Sequence, residues 1–357
     1  MDLIQGLPEE IGLECLIRVP YTQFSSVSSV CRRWNAEIRQ PEFRRLRKES
    51  GLTQSLVVMV QSWVNPSEPR SDTMKHPVNQ VFRLTVFEPE TGKWSELPPV
   101  PGYENGLPMF CRIVGVGLEL VVMGGWDPVT WVVSDSVFVF NFVSATWRRG
   151  SDIPGGPRSF FACASDLDRV VYVAGGHDKE KNALRSALAY DVAKDEWVQL
   201  PDMAMERDEC DGVFHGGKFH VIGGYNTEMQ GRFSTSAEAF DAAAMKWDQV
   251  EDDFLDVATC PNTCLDVGDW RLYMCRSNEV AVRQSSTWQA VAELPAEVRS
   301  SRAFVTAWQG KMLVIGSPRF DGAHRAYVLD LKRYTWTQVE APEEYSGHVQ
   351  SGCCLEI

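Results

Sequence analysis

The chain has 357 residues, 44% hydrophobic and 23% charged, proportions of a folded protein that can bury a core without staples; they exclude global disorder and fibrous repeats. Its apolar runs are broken by charge or glycine far short of the roughly 20 residues of a membrane span, and residues 1–10 lack the pattern of a secretory signal. Forty-eight acidic against 35 basic residues leave a net charge of −13, which works against general attraction to nucleic acid or anionic lipid. The first fifty residues hold 8 basic and 7 acidic groups, so nearly all of the negative charge lies beyond them. Of the ten cysteines, Cys31, Cys111, Cys163 and Cys275 lie in apolar or helical stretches, and Asn65 is followed by Pro66, which spoils a glycosylation site. Reduced thiols in an intracellular protein, cytoplasmic and/or nuclear, are therefore expected.

Residues 1–48 follow helical periodicity. Pro8, Glu9 and Glu10 suit a first helical turn, where a missing N–H costs nothing and negative charge meets the dipole. Leu7, Ile11, Leu13, Leu16 and Ile17 make an apolar face that Pro20 ends. Thr22 is placed to cap a second helix, in which Phe24, Val27, Val30 or Cys31, Trp34 and Ile38 recur every three or four residues until Gln40 and Pro41. Phe43 and Leu46 begin a third short piece, and Arg44, Arg45, Arg47 and Lys48 read as its solvated face rather than as a nuclear signal. The apolar content exceeds what three short helices cover among themselves, which calls for a partner surface.

Four strings in order, Leu7-Pro8-Glu9-Glu10-Ile11, Cys15-Leu16-Ile17-Arg18-Val19-Pro20, Val27-Ser28-Ser29-Val30-Cys31-Arg32-Arg33-Trp34 and Pro41-Glu42-Phe43, resemble an F-box. The resemblance implies that Leu7, Pro8, Ile11, Leu16, Val30 and Trp34 dock on the Skp adaptor of an SCF-type ubiquitin ligase. Read from the residues alone, the same side chains also suit the module's own core.

From residue 49 to 357 the pattern changes to short β-rich runs with an internal period. Trp94, Trp147, Trp197, Trp247, Trp288 and Trp336 are spaced by 53, 50, 50, 41 and 48 residues. Five of them follow, by six positions, an acid or amide that ends an apolar strand: Glu88, Asn141, Asp191, Asp241 and Asp330. Glycine pairs close a preceding apolar strand at Gly124-Gly125, Gly175-Gly176 and Gly223-Gly224. Each unit reads as four strands with a Trp that fills the gap to its neighbour. This resembles a kelch blade and implies a mainly β fold, a six-bladed kelch β-propeller preceded by a small all-α module. Blade five, around Leu272 to Cys275 and Trp288, lacks the glycines and the acid, which leaves its geometry open. Blade one lacks a first strand, and residues 348–357 resemble one, so the C-terminal strand is predicted to complete blade one. Loss of the last ten residues is then expected to destabilise the ring.

Few residues are spaced for chemistry. The histidines show no paired metal-ligand spacing, Cys260-x-x-x-Cys264 and Cys353-Cys354 have no matching second pair, and no Ser/His/Asp order stands out. Plant kelch proteins of glucosinolate breakdown carry Glu-x-x-x-Asp-x-x-x-His; here Asp211 and His215 match, but Arg207 holds the Glu position and Glu206 is one residue out of register. No cofactor and no metal are expected.

Arg112, Arg158, Arg207 and Arg302 occur shortly before the first strands of four blades, and Trp126, Trp131, His177, Tyr225 and Arg319 follow second strands, so the fold would gather them on one loop face. Aromatic and Arg side chains suit a target-binding surface there, while the arginines equally suit pairing with acids inside the blades. The stretch from Asn65 to Gln80 reads as a loop, and Glu251-Asp252-Asp253 as a solvated turn. The order of modules resembles the plant F-box/kelch family, and Met1 to Tyr21 resembles the subgroup whose targets include phenylalanine ammonia-lyase and type-B cytokinin response regulators. That resemblance implies a non-catalytic substrate receptor, with the Skp adaptor, through it cullin, and a target protein as partners. A non-ligase scaffold or a metal-dependent kelch enzyme are the alternatives.

Overall fold

In a computed structural model of the chain, six four-stranded antiparallel sheets stand around one axis. It describes residues 3–65, 81–127, 129–258, 264–276, 278–298, 303–319 and 322–357. His76, Cys260, Arg302, Phe320 and the insertion beyond Asn65 lie outside the described residues. The innermost strands are Val349–Glu356, Arg112–Val116, Ala162–Ser165, Asp211–His215, Cys264–Asp266 and Phe304–Trp308, each touching the next and the last touching the first. Val349–Glu356 pairs with Ser55–Ser62, setting Cys353 opposite Val58, with a bulge between Val60 and Gln61. A strand from one end of the chain thus occupies the inner position of the blade that begins near the other, which pairs the inner edge of Ser55–Ser62 and closes the ring.

The tryptophan period has a hydrogen-bonding basis. Each indole N–H of the repeat donates to a carbonyl at the end of the preceding blade's outer strand or in the segment after it: Trp147 to Pro98, Trp197 to Ser151, Trp247 to Pro201, Trp288 to Phe254 and Trp336 to Glu293. Trp94 of blade one reaches Glu340 of blade six at 3.0 Å, completing the circuit. Four of the six rings also pack inside their blade on an aromatic residue of the third strand: Trp94 on Phe87 and Trp197 on Tyr190, both with centroids 4.7 Å apart, Trp147 on Phe140 and Trp247 on Phe240. One side chain therefore supplies apolar area to its own blade and a polar tie to the next, a combination that suits the amphipathic indole.

The acid or amide six residues before the Trp shapes the hairpin between third and fourth strands. Asp241 Oδ1 accepts from the N–H groups of Ala243 and Ala244 at 3.0 and 2.8 Å, and Asp330 and Asn141 repeat the arrangement. Two residues before each of five tryptophans the backbone is left-handed, at Gly92, Ala145, Asp195, Met245 and Tyr334. Met245 is half exposed at φ 53°, so Met245→Gly removes a steric penalty and little packing. The expected outcome is a gain of up to about 1 kcal/mol in urea unfolding; a loss would mean that the Met245 side chain matters more than its backbone.

Blade five is a complete four-stranded sheet despite its missing marks. Leu272–Arg276 pairs with Glu279–Gln284, joined by a short connection that explains the contracted spacing before Trp288. Its hairpin turn places Ser285 at positive φ, and a bulge falls between Val280 and Ala281.

Four helices precede the ring: α1 (Glu9–Ile17), α2 (Phe24–Val30), α3 (Arg32–Ile38) and α4 (Pro41–Glu49). The single second helix expected from periodicity is broken at Cys31, whose extended backbone (φ −158°, ψ 161°) lets its Sγ accept from Trp34 N–H and cap α3. Thr22 is not a cap; it lies in a 3₁₀ turn, Tyr21–Gln23, that leads directly into α2. The third piece is a full helix with Pro41 in its first turn, where proline is tolerated.

Candidate functional site

The helices sit on the end of the ring formed by the turns between first and second strands and between third and fourth. Tyr21 Oη donates to Glu88 at 2.7 Å in blade one, Ser28 Oγ to the Val143 carbonyl in blade two, and Arg44 pairs with Asp168 in blade three. Leu16, Ile17, Phe24, Ile38 and Phe43 share one core cluster with Leu56, Val58, Phe140 and Leu355. The propeller itself therefore covers much of the apolar surplus that the helices carry.

Arg47 ties the two parts together. It is 2% exposed, donates to the carbonyls of Val19 and Leu52 at 2.8 Å, and also to those of Ile17 and Ile357. Its guanidinium lies 5.2 Å over the Phe24 ring, and burial pushes its pKa down to about 10. The basic run is thus not one solvated face: Arg47 points inward with Phe43, four residues earlier on the same face of α4, while Arg45 pairs with Glu42 and Glu49 and Lys48 with Glu356.

Of the residues expected to meet an adaptor, Ile11 and Val30 are the exposed apolar ones, at 49% and 61%. Pro8 is exposed and lies on the Ile11 stripe of α1; Leu7 is half-buried. The start of α3 is held beside the start of α1 by the Arg33–Glu9 ion pair and by the Trp34 indole, which donates to the Leu3 carbonyl at 2.6 Å. Val30 is the last residue of α2, directly ahead of α3. Trp34 is half-buried and engaged, and Leu16, 2% exposed, is core. Leu16 therefore reaches a partner only through the helix it supports.

At the opposite end run the loops after the second strands and before the inner strands. Trp131 is 62% exposed between Val129 and Val132, on a loop that Asp127 holds by accepting from Val129 N, Thr130 N and Thr130 Oγ1. The Thr130 N–H in turn keeps the Asp127 carboxyl below its ordinary pKa. Trp126 is half-buried, Arg319 is exposed, and Arg302 falls outside the described residues.

The arginines are not equivalent around the ring. Arg112 is the first residue of its inner strand, faces the axial channel and approaches Asp211 at 4.0 Å. Burial pushes the Asp211 carboxyl up to about 6 against the opposing pull of Arg112. Arg158 and Arg207 stand four residues ahead of their strands and are 4% and 1% exposed. Arg207 donates to the carbonyls of Gly223 and Ser236 and pairs with Glu238 at 3.1 Å; Arg158 reaches Gly175 and Ser186. Both pin second and third strands together, so they offer a target no surface. Their reach depends on the glycine pairs: at Gly224 (φ +78°) an added Cβ would sit 2.6 Å from the Asp208 carbonyl oxygen.

His177 and Tyr225 are also buried, at 6% and 7%. Ser159 Oγ lies 2.9 Å from His177 Nε2, and His177 Nδ1 lies 2.9 Å from both Asp208 carboxylate oxygens, a Ser–His–Asp sequence that was not visible in the chain order. Ser159 is 1% exposed and its backbone is bridged to His177, so no acyl carbon reaches its Oγ. The array works as a polar staple between the upper loops of blades three and four. Sequence reasoning missed it because the three residues come from separate loops.

Among the described residues nine cysteines are free thiols, and no group of three His, Cys, Asp or Glu is placed to hold a metal ion. No described helix is long and apolar enough to cross a membrane.

Comparison with known proteins places these features in a family. The F-box domain matches residues 4–46, and the Kelch motif matches residues 109–154 and 157–204. The chain is 49% identical to the F-box/kelch-repeat protein At1g15670 and 46% identical to the F-box/kelch-repeat protein At1g80440, both of Arabidopsis thaliana, over 100% of each chain. It is 37% identical to the F-box/kelch-repeat protein SKIP20 of the same plant, over 70% of this chain and 66% of that one. With a helical module that matches the F-box domain on one end of a six-bladed ring, the chain belongs to the plant F-box/kelch-repeat proteins.

Proposed function

We propose that the chain is the substrate-recognition subunit of an SCF-type ubiquitin ligase, with α1 to α3 on the Skp adaptor and the opposite loop face on the target. The observation that carries this reading is the placement of an exposed apolar edge, Ile11 and Val30, and an exposed aromatic loop, Trp131, at the two ends of one body tied by Arg47. Such a body holds a target at a set distance from the cullin-bound machinery and contributes proximity and orientation rather than a reacting group. Phenylalanine ammonia-lyase is the proposed first target and type-B response regulators the second, on the resemblance of Met1 to Tyr21 to the subgroup that binds them.

Because the helices share a core with the ring, deletion of residues 1–48 would expose apolar surface, and point variants make the cleaner control. Reconstitution of the full chain with adaptor, cullin and conjugating enzymes is expected to ubiquitinate purified phenylalanine ammonia-lyase, with Ile11→Glu abolishing transfer. Absence of adaptor binding would remove the ligase reading. Adaptor binding without modification of either target would remove the named targets alone.

A further inference from the structure

We infer that the upper mouth of the axial channel docks a lysine or arginine side chain of the target, a reading that rests on the substrate-receptor function and specifies the class of segment recognised. The innermost strands enclose a channel of about 2160 Å³, and α4 lies at its lower end. At the upper end the residues just before three inner strands are Phe110, Phe160 and Glu209, all at positive φ. The left-handed backbone turns these side chains out of the blade packing, which takes up the next residue instead: Cys111, Phe161 and Cys210 are fully buried.

Phe110 is 45% exposed, its N–H is held by Gln350 Oε1 at 2.9 Å, and its ring lies 4.9 Å from that of Phe160. Phe233 also lines the channel, its ring 5.4 Å from that of Tyr225. Tyr225 Oη donates to Glu209 at 2.9 Å, and Glu209 forms no ion pair among the described residues. The described cation in the upper channel, Arg112, is engaged with Asp211 and so leaves the Glu209 charge unmatched. Aromatic faces carry negative potential, so rings beside an unmatched carboxylate favour a cation with an apolar stem, which is the shape of a lysine or arginine side chain. An acidic segment would meet repulsion, and a purely apolar one would desolvate Glu209 without compensation.

The test uses the full chain bound to its adaptor and acetylated nonapeptide pools, random except for one fixed central residue, in competition with a fluorescent pool fixed as Arg. Pools fixed as Arg or Lys are expected to bind about tenfold more tightly than pools fixed as Glu or Leu. Glu209→Gln is expected to erase most of that preference and Glu209→Lys to invert it toward Glu, with thermal unfolding unchanged because the side chain is partly exposed. Phe160→Leu serves as a second variant that keeps the volume apolar and removes the ring; a weaker basic preference is expected. Equal binding of all pools, or a basic preference that survives Glu209→Lys, overturns the inference. Adaptor retention, read in the same samples, reports on the ligase reading separately: a chain that keeps the basic preference but loses adaptor keeps the mouth site and loses the ligase assignment.

Discussion

Replacing Arg207 by Met is expected to lower the free energy of unfolding by about 3–5 kcal/mol, because it strands the Glu238 carboxylate in a fully buried site. Arg207 also satisfies the carbonyls of Gly223 and Ser236 and the Ser236 hydroxyl, so its loss leaves several acceptors dry. Met fills much of the volume, which confines the effect to charge and hydrogen bonding. Urea unfolding of Arg207→Met, of Glu238→Gln and of the double variant separates the terms. The double variant is expected to recover part of the loss, since the Gln carbonyl oxygen still accepts from one of the Ala204 and Met205 N–H groups and no uncompensated charge remains. A loss below about 1 kcal/mol for Arg207→Met would show that blade four closes without the pair, and would return Arg207 to the set of candidate contact residues.

The second large effect concerns the adaptor face. Ile11→Glu combined with Val30→Glu is expected to weaken binding of purified Skp adaptor by about 100-fold or more, since each places a charge where an apolar contact must form. Melting is expected to shift little, because both side chains are largely exposed in the free chain. Leu16→Ala makes the contrast: it empties a site in the core shared with the ring, and is expected to cost about 2–5 kcal/mol of stability. Equal loss of adaptor binding and of folding in the Glu variants would mean that Ile11 and Val30 are covered by the chain itself.

Much of the propeller was legible because its repeated marks act locally. A Trp every fifty or so residues, an acid six positions earlier and a glycine pair each solve a problem within one blade or between neighbours, so composition and spacing carry the signal. The helical module was legible as a type and misread in detail. Periodicity continues through Cys31 on both sides, and only the cap geometry shows that α2 and α3 are separate. Arg47 illustrates the same limit: four basic residues in a row of five look alike until the direction of each side chain is known.

The candidate target face was the least legible part. Arg112, Arg158 and Arg207 occupy similar stretches before inner strands, yet a difference of four residues sends the first into the channel and the other two into the blades. Phe110, Phe160 and Glu209, which line the mouth, were passed over because nothing in their identity marks a positive φ. The amino-acid sequence by itself determined the number of blades, the helical module before them and the family, since those depend on short-range periodicity and motif. Which side chains reach solvent, which polar groups meet across blades, and where the module sits on the ring were decided by the tertiary structure alone. Those properties arise from contacts between residues tens to hundreds of positions apart, as in Arg47 with Ile357 or Trp94 with Glu340, and no local pattern encodes them.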